Sequence, residues 1–213
     1  MTEHRRPRSS IRPGFARDDW NARYAGSELL WTAEPNRRFA SEVEELEPGR
    51  ALDLACGEGR NAVWLAERGW RTTGLDFSDV ALAKAERLAA SRGVEVEWVL
   101  ADVVEHEPER EAFDLVAVLY LQLPHEQFAK VLRSARDALA PGGTLLVLGH
   151  DTTNLTHGHG GPRDPSVLFT PDDVVAEPGG LVVEQAETVT RTVALEEGEA
   201  TALDALVRAR RPD

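Results

Sequence analysis

Ala51-Leu52-Asp53-Leu54-Ala55-Cys56-Gly57-Glu58-Gly59-Arg60-Asn61 decides how this chain is read. An apolar strand runs into a glycine turn that opens straight into a helix ending near Arg68. Glycines at 57 and 59 allow left-handed backbone and close approach to a ligand, and the helix start behind them offers free N–H groups. The turn also carries the carboxylates of Asp53 and Glu58. They disfavour a pyrophosphate and favour a ligand that brings cationic groups.

Outward from this turn, strands and helices alternate. Pro35 opens a helix with the apolar face Phe39, Val43 and Leu46. After strand 51–55 come helix 59–68, strand 71–76, a helix capped by Ser78, and strands 95–100 and 113–119. Pro124 opens the next helix, and Pro141-Gly142-Gly143 turns into strand 144–149. Thr170 reads as an N-cap with Pro171 behind it, and strand-like segments near 181–191 and 203–210 close the chain. The pattern specifies an α/β, Rossmann-like, doubly wound, mostly parallel seven-stranded sheet with an antiparallel edge hairpin, in a single domain. Residues 1–14, with Arg5, Arg6, Arg8 and Arg12, read as a disordered basic tail before a domain over 15–213. Within it, 15–48 form an N-terminal lid and first helix, 49–150 a cofactor-binding core, 151–169 an acceptor loop, and 170–213 the C-terminal helix and edge strands.

At 213 residues, 42% hydrophobic and 29% charged, the chain supports one substantial core. No apolar run approaches the roughly 20 residues of a membrane span. The start lacks the apolar segment of a secretory signal, and Cys56 is the single cysteine, so a cytoplasmic protein is expected. A net charge of −13 opposes binding to a phosphate backbone. The expected partner is a small molecule, without nucleic acid or membrane, on a monomer or homodimer. Arg208, Arg210 and Arg211 read as an edge-strand surface.

Acids stand where three strands end: Asp53, Asp76 and Asp102. Asp76 can accept both hydroxyls of a ribose, and Asp102 the exocyclic amine of an adenine, with the Val103 N–H beside it. A nicotinamide dinucleotide competes, because Gly57-Glu58-Gly59-Arg60-Asn61-Ala62 matches its glycine fingerprint. Its pyrophosphate, however, would face Asp53 and Glu58. S-adenosylmethionine, a cationic nucleoside without phosphate, avoids that conflict.

From about Trp20 onward the chain resembles the class I S-adenosylmethionine-dependent methyltransferases. The resemblance is carried by Leu52-Asp53-Leu54-Ala55-Cys56-Gly57-Glu58-Gly59, Gly74-Leu75-Asp76-Phe77-Ser78, Ala101-Asp102, Phe113-Asp114-Leu115-Val116 and Leu139-Ala140-Pro141-Gly142-Gly143. It implies that the turn, with Asp53, Ala55, Cys56, Glu58 and Asn61, holds the methionyl part of the donor. It implies further that Asp76, Phe77 and Ser78 hold the ribose and Ala101, Asp102 and Val103 the adenine, with Leu119 alongside. Trp64-Leu65-Ala66-Glu67-Arg68-Gly69-Trp70 and the lead-in from Trp20 to Trp31 resemble the thiopurine and tellurite-resistance methyltransferases. That likeness implies a thiol or another polarisable S, Se or Te acceptor, and places Trp20 and Tyr24 against the donor.

The expected reaction is in-line displacement, in which the protein aligns the nucleophile and excludes water. His150, at the carboxyl end of Leu145-Leu146-Val147-Leu148, is the candidate base or orienting group, and Tyr120 walls the pocket beside it. A low-pKa thiol needs no base; an oxygen or nitrogen acceptor would use His150. A non-catalytic adenosylmethionine-binding module is the third possibility. Leu119-Tyr120-Leu121-Gln122-Leu123-Pro124 lacks the Pro-Pro-aromatic pattern of nucleic-acid amino-methylating enzymes. His150, Asp151, His157 and His159 do not have the spacing of a zinc motif, so no metal is expected. Cys56 reads as a small structural residue.

Overall fold

The computed structural model describes residues 16–26, 28–195 and 197–213; the expected tail over 1–14 and its arginines lie outside them. Helices α1 (Arg17–Tyr24) and α2 (Arg37–Val43) form the lead-in. The strands are β1 (Arg50–Leu54), β2 (Arg71–Asp76), β3 (Glu97–Leu100), β4 (Phe113–Leu119), β5 (Leu139–His150), β6 (Val182–Ala194) and β7 (Glu199–Arg210). Between them lie α3 (Arg60–Glu67), α4 (Asp79–Arg92), α5 (His125–Ala138), α6 (Asn154–His157) and α7 (Pro171–Ala176).

The seven strands form one sheet in the order β3-β2-β1-β4-β5-β7-β6. All neighbours are parallel except β5 with β7 and β7 with β6, the edge hairpin read from the sequence. Strand order reverses between β1 and β4, so the crevice of this fold opens at their carboxyl ends.

Local chemistry sets the element ends. Ser78 Oγ accepts the Ala81 N–H at 3.0 Å to start α4, and left-handed Gly93 stops it. Thr170 and Asp173 cap α7 reciprocally, with Pro171 in the first turn. The helix expected to open at Pro35 begins instead at Arg37, capped by Asn36, whose Oδ1 accepts the Phe39 N–H at 3.1 Å. Strand β5 begins before the expected turn: Gly142, at φ +75°, donates to the Arg211 carbonyl at 3.0 Å, which makes Pro141–Gly143 an irregularity inside the strand. The aromatic spacing Trp20/Tyr24 turned out to be helical, the i, i+4 rings stacking at 5.6 Å.

Alternation along the strands divides the core between two faces. Leu52, Leu54, Val116, Val118, Leu145 and Val147 pack with α5, Phe169 and α7. The alternate residues Ala51, Leu115, Ala117, Leu146, Leu148 and Leu206 pack with Phe39, Trp64 and Leu65 of α2 and α3. The same two-residue period carries Asp53, His150 and Asp204 onto this second face, with Asp204 inside β7 opposite His150 at the end of β5.

Candidate active site

The turn after β1 alternates left-handed residues, with φ +58° at Ala55, +57° at Gly57 and +77° at Gly59. Ala55 holds that conformation with a Cβ, which costs on the order of 1–2 kcal/mol. The two glycines serve different neighbours. A Cβ on Gly57 would stand 3.0 Å from Tyr24 Oη, so Tyr24 roofs the turn. A Cβ on Gly59 would meet the Trp98 ring at 2.5 Å and Ala85 at 2.7 Å, so this glycine admits β3 and α4.

Asp76 accepts the Gly57 N–H at Oδ2 and the Ser78 N–H at Oδ1, both at 2.8 Å. The Phe77 N–H also reaches this carboxylate; burial pushes its pKa above the ordinary value, and the three backbone donors hold the rise back. Asp53 is 1% exposed and its Oδ2 has no hydrogen-bond partner among the described residues. Burial pushes its carboxyl up to about 7 and nearby Asp76 adds to the rise, while Arg60 and the Ala62 N–H hold it back. Asp102, half-buried past the end of β3, accepts the Val104 N–H at 2.9 Å. Phe77, Ala101 and Val103 are half-buried, and Leu119 is buried at the tip of β4.

Some expected donor contacts are committed elsewhere. Glu58 takes the backbone N–H groups of Leu30 and Trp31 at 3.0 and 3.1 Å, and a buried ion pair from Lys84 Nζ at 2.9 Å. It pins the lead-in, and Lys84 neutralises the charge that was to face the ligand. Lys84 was missed, although a lysine within the buried Ala81, Ala85 and Leu88 stripe of α4 is a signal of a buried partner. Asn61 Oδ1 accepts the Asn36 N–H at 2.9 Å, tying α3 to α2. Cys56 is buried, and burial first, then Asp53 and Asp76, push its thiol well above the ordinary value, consistent with a structural role. Trp20 is half-buried between Tyr24 and the Arg23 guanidinium, which lies 4.6 Å above its ring.

On the other side of β1, four side chains meet: Tyr120 just past β4, His150 at the end of β5, Asp204 within β7 and Arg191 within β6. Tyr120, at φ +53°, donates its hydroxyl to Asp204 Oδ2 at 2.7 Å. Arg191 Nε reaches the same oxygen at 2.7 Å, and its guanidinium lies 5.6 Å over the Tyr120 ring. His150, opposite Asp204 in the β5–β7 register, places Nδ1 3.4 Å from Asp204 Oδ1, an ion-pair distance without a formed hydrogen bond. Its ring meets Tyr120 edge-on at 5.0 Å. Asp204 is 1% exposed; burial alone would raise its pKa, but His150, Arg191 and Tyr120 together hold it below the ordinary carboxylate range. Neither Asp204 nor Arg191 was expected from the sequence. The signal was present as an acid inside the apolar run Ala202-Leu203-Asp204-Ala205-Leu206.

The histidine-rich loop supports this group from behind. A Cβ on Gly161 would touch the His150 ring at 3.0 Å, so the glycine lets the loop lie against it. Asp151 and Asn154 anchor the loop, through Thr153 and Thr188 and through the Leu203 N–H at 2.8 Å respectively. His157 and His159 are exposed, and no group of three metal-ligating side chains occurs among the described residues. A surface depression of about 710 Å³ beside Arg50, Thr73 and Trp98 contains none of these side chains, so cavity size is no guide to the chemistry here.

Comparison with known proteins agrees with this geometry. Residues 51–143 match the family described as a methyltransferase domain. Demethylmenaquinone methyltransferase of Thermus thermophilus is 38% identical over 125 residues, 58% of this chain and 55% of the relative. The 2-heptyl-1-hydroxyquinolin-4(1H)-one methyltransferase of Mycobacteroides abscessus is 32% identical over 121 residues, 55% of this chain and 53% of the relative. The chain thus spans about half the length of these curated relatives. The fold matches the crystal structure of the N-methyltransferase NodS of Bradyrhizobium japonicum with S-adenosyl-L-homocysteine, at TM-score 0.69 and 18% identity, over 92% of this chain and 98% of that one. These matches do not single out the thiopurine and tellurite-resistance group. Residues 51–143 thus match a methyltransferase domain, and the chain shares the fold of NodS.

Proposed function

We propose that the protein transfers a methyl group from S-adenosylmethionine to an oxygen of a small molecule seated at the tips of β4 and β5, with His150 as proton acceptor. The observation that carries this reading is the group His150–Asp204–Tyr120, on the same sheet face as Asp53.

The residues of the crevice fit the donor. The partnerless Asp53 Oδ2 suits an ammonium, and the Asp76 carboxylate, fixed by backbone donors at the end of β2, suits ribose hydroxyls. Asp102 would take the adenine amine. Tyr24 over Gly57 keeps water from the turn. When bound, the donor supplies a methyl group on a positively charged sulfur. An anionic Asp204 stabilises positive charge on His150, so the imidazole can hold the proton of an acceptor hydroxyl while Tyr120 fixes the carboxylate. The hydroxyquinolone methyltransferase, by its name, acts on a ring compound that bears a hydroxyl, in keeping with such an acceptor.

A thiol or another S, Se or Te acceptor is the second reading, favoured by the resemblance of the lead-in. It would leave the buried Asp204 without a task in the chemistry. Methyl transfer to a panel of hydroxyquinolones, quinols, phenols, thiols, selenite and tellurite separates the two. His150→Ala is expected to lower the rate on oxygen acceptors by about 100-fold or more. Turnover of thiols alone, unaffected by His150→Ala, would overturn the oxygen reading.

A further inference from the structure

The sheet ends in two unlike edges. At one, β3 is only the segment Glu97–Leu100, a poor template for another strand. At the other, β6 runs 13 residues and holds neither Pro nor Lys, the residues that commonly blunt an edge. Its irregularity lies between Val183 and Gln185; from Gln185 to Ala194 it pairs with β7 without interruption. An antiparallel strand bonds each neighbour through alternate residues, so half of the backbone N–H and C=O groups of this stretch point away from β7, along the open edge. Half of the large hydrophobics exposed among the described residues flank it: Val182 and Val183 at its start, and Leu195 just past its end.

We propose that β6 is the seam of a homodimer, in which two copies pair antiparallel over Gln185–Ala194 about a twofold axis at Val189. An axis perpendicular to the sheet keeps each face continuous, so one residue must face its own copy across it. With Val189 there, Glu187 stands opposite the partner's Arg191, Thr188 opposite the partner's Thr190, and Ala186 opposite the partner's Thr192. Moving the axis two residues either way sets Glu187 against the partner's Glu187, or Arg191 against the partner's Arg191. Moving it by one leaves both charges without a counterpart. The Val189 register also brings each Leu195 to the level of the partner's Val182 and Val183, which covers the exposed apolar ends. Glu187 and Arg191 are partly exposed and already held, by Arg38 at 3.2 Å and by Asp204 at 2.7 Å. Their pairing across the seam therefore selects the register, while backbone hydrogen bonds and the apolar ends supply the affinity.

The test is sedimentation of the full chain over a wide range of concentration, joined to cysteine cross-linking. Wild type is expected to dimerise. Glu187→Arg, with an unchanged circular dichroism spectrum, sets like charges opposite each other twice and should raise the dimer dissociation constant about 10-fold or more. Under mild oxidation Val189→Cys should link to its own copy, because opposed Cα atoms about 4.5–5.5 Å apart suit a disulfide. Ala194→Cys, far from the axis, should not, and wild type, whose single cysteine Cys56 is buried, gives the background. A wild type that stays monomeric at every concentration, a dimer indifferent to Glu187→Arg, or linkage at Ala194→Cys above that at Val189→Cys, would overturn the proposal. Should Val189→Cys fail to fold, Thr188→Cys mixed with Thr190→Cys, both exposed positions, replaces it. More linkage in the mixture than in either alone upholds the register, and no excess overturns it.

Discussion

Asp53→Asn isolates the energetic cost of the donor crevice. The carboxyl is buried without a partner for Oδ2, and burial, followed by Asp76, lifts it from 3.8 to about 7. The folded state therefore holds its proton more tightly than the unfolded chain does. Below pH 4 both states are protonated and the group is neutral to stability. Between pH 4 and 7 the unfolded chain releases the proton first, so stability falls as pH rises. Above 7 both are ionised and the full penalty stands. A shift of about three units at about 1.4 kcal/mol each sets a ceiling of about 4 kcal/mol. Asn cannot titrate, and its unpaired amide adds an offset that does not vary with pH. Urea unfolding of donor-free wild type and variant from pH 4 to 8 should show the variant's relative stability climbing by up to about 4 kcal/mol, with the rise over by pH 8. A difference that stays flat across this range would refute the reasoning, because Asp53 would then be an ordinary solvated carboxylate.

The remaining predictions concern packing and catalysis. Gly59→Ala forces a Cβ onto Trp98 and Ala85 at a left-handed residue, and should cost more than about 2 kcal/mol in urea unfolding. Glu58→Gln strands the Lys84 ammonium in the interior and should cost about 3–5 kcal/mol, with much of it restored by adding Lys84→Met. The same single change should expose residues near Leu30 and Trp31 to limited proteolysis, since their N–H groups lose a charged acceptor. Asp204→Asn should lower turnover of oxygen acceptors by about 10-fold or more while leaving S-adenosylhomocysteine affinity unchanged, measured by steady-state kinetics beside titration.

The sheet was legible because its signals are local. Hydrophobic period, glycine turn and helix caps such as Ser78 and Thr170 each act within a few residues. Strand-end acids were legible for the same reason: Asp53, Asp76 and Asp102 sit at positions that the strand boundaries define. What escaped depends on contacts between distant segments. Glu58 looks free in the sequence, and only the fold brings Lys84 and the Leu30 backbone to it. Likewise Asp204 and Arg191 reach His150 and Tyr120 because the edge hairpin lies beside β5, a neighbourhood that no spacing along the chain announces. The α1 helix escaped because its burial rests on Tyr24 alone, too little apolar surface to show as a stripe.

The account stands on the acids at the strand tips receiving a cationic nucleoside. Titration of wild type and Asp76→Asn with S-adenosylhomocysteine and with NAD tests it most directly. Saturable binding of S-adenosylhomocysteine by wild type, weakened about 10- to 100-fold in the variant, with no NAD binding, is the predicted result. NAD bound more tightly than S-adenosylhomocysteine, or an affinity indifferent to Asp76, would contradict it.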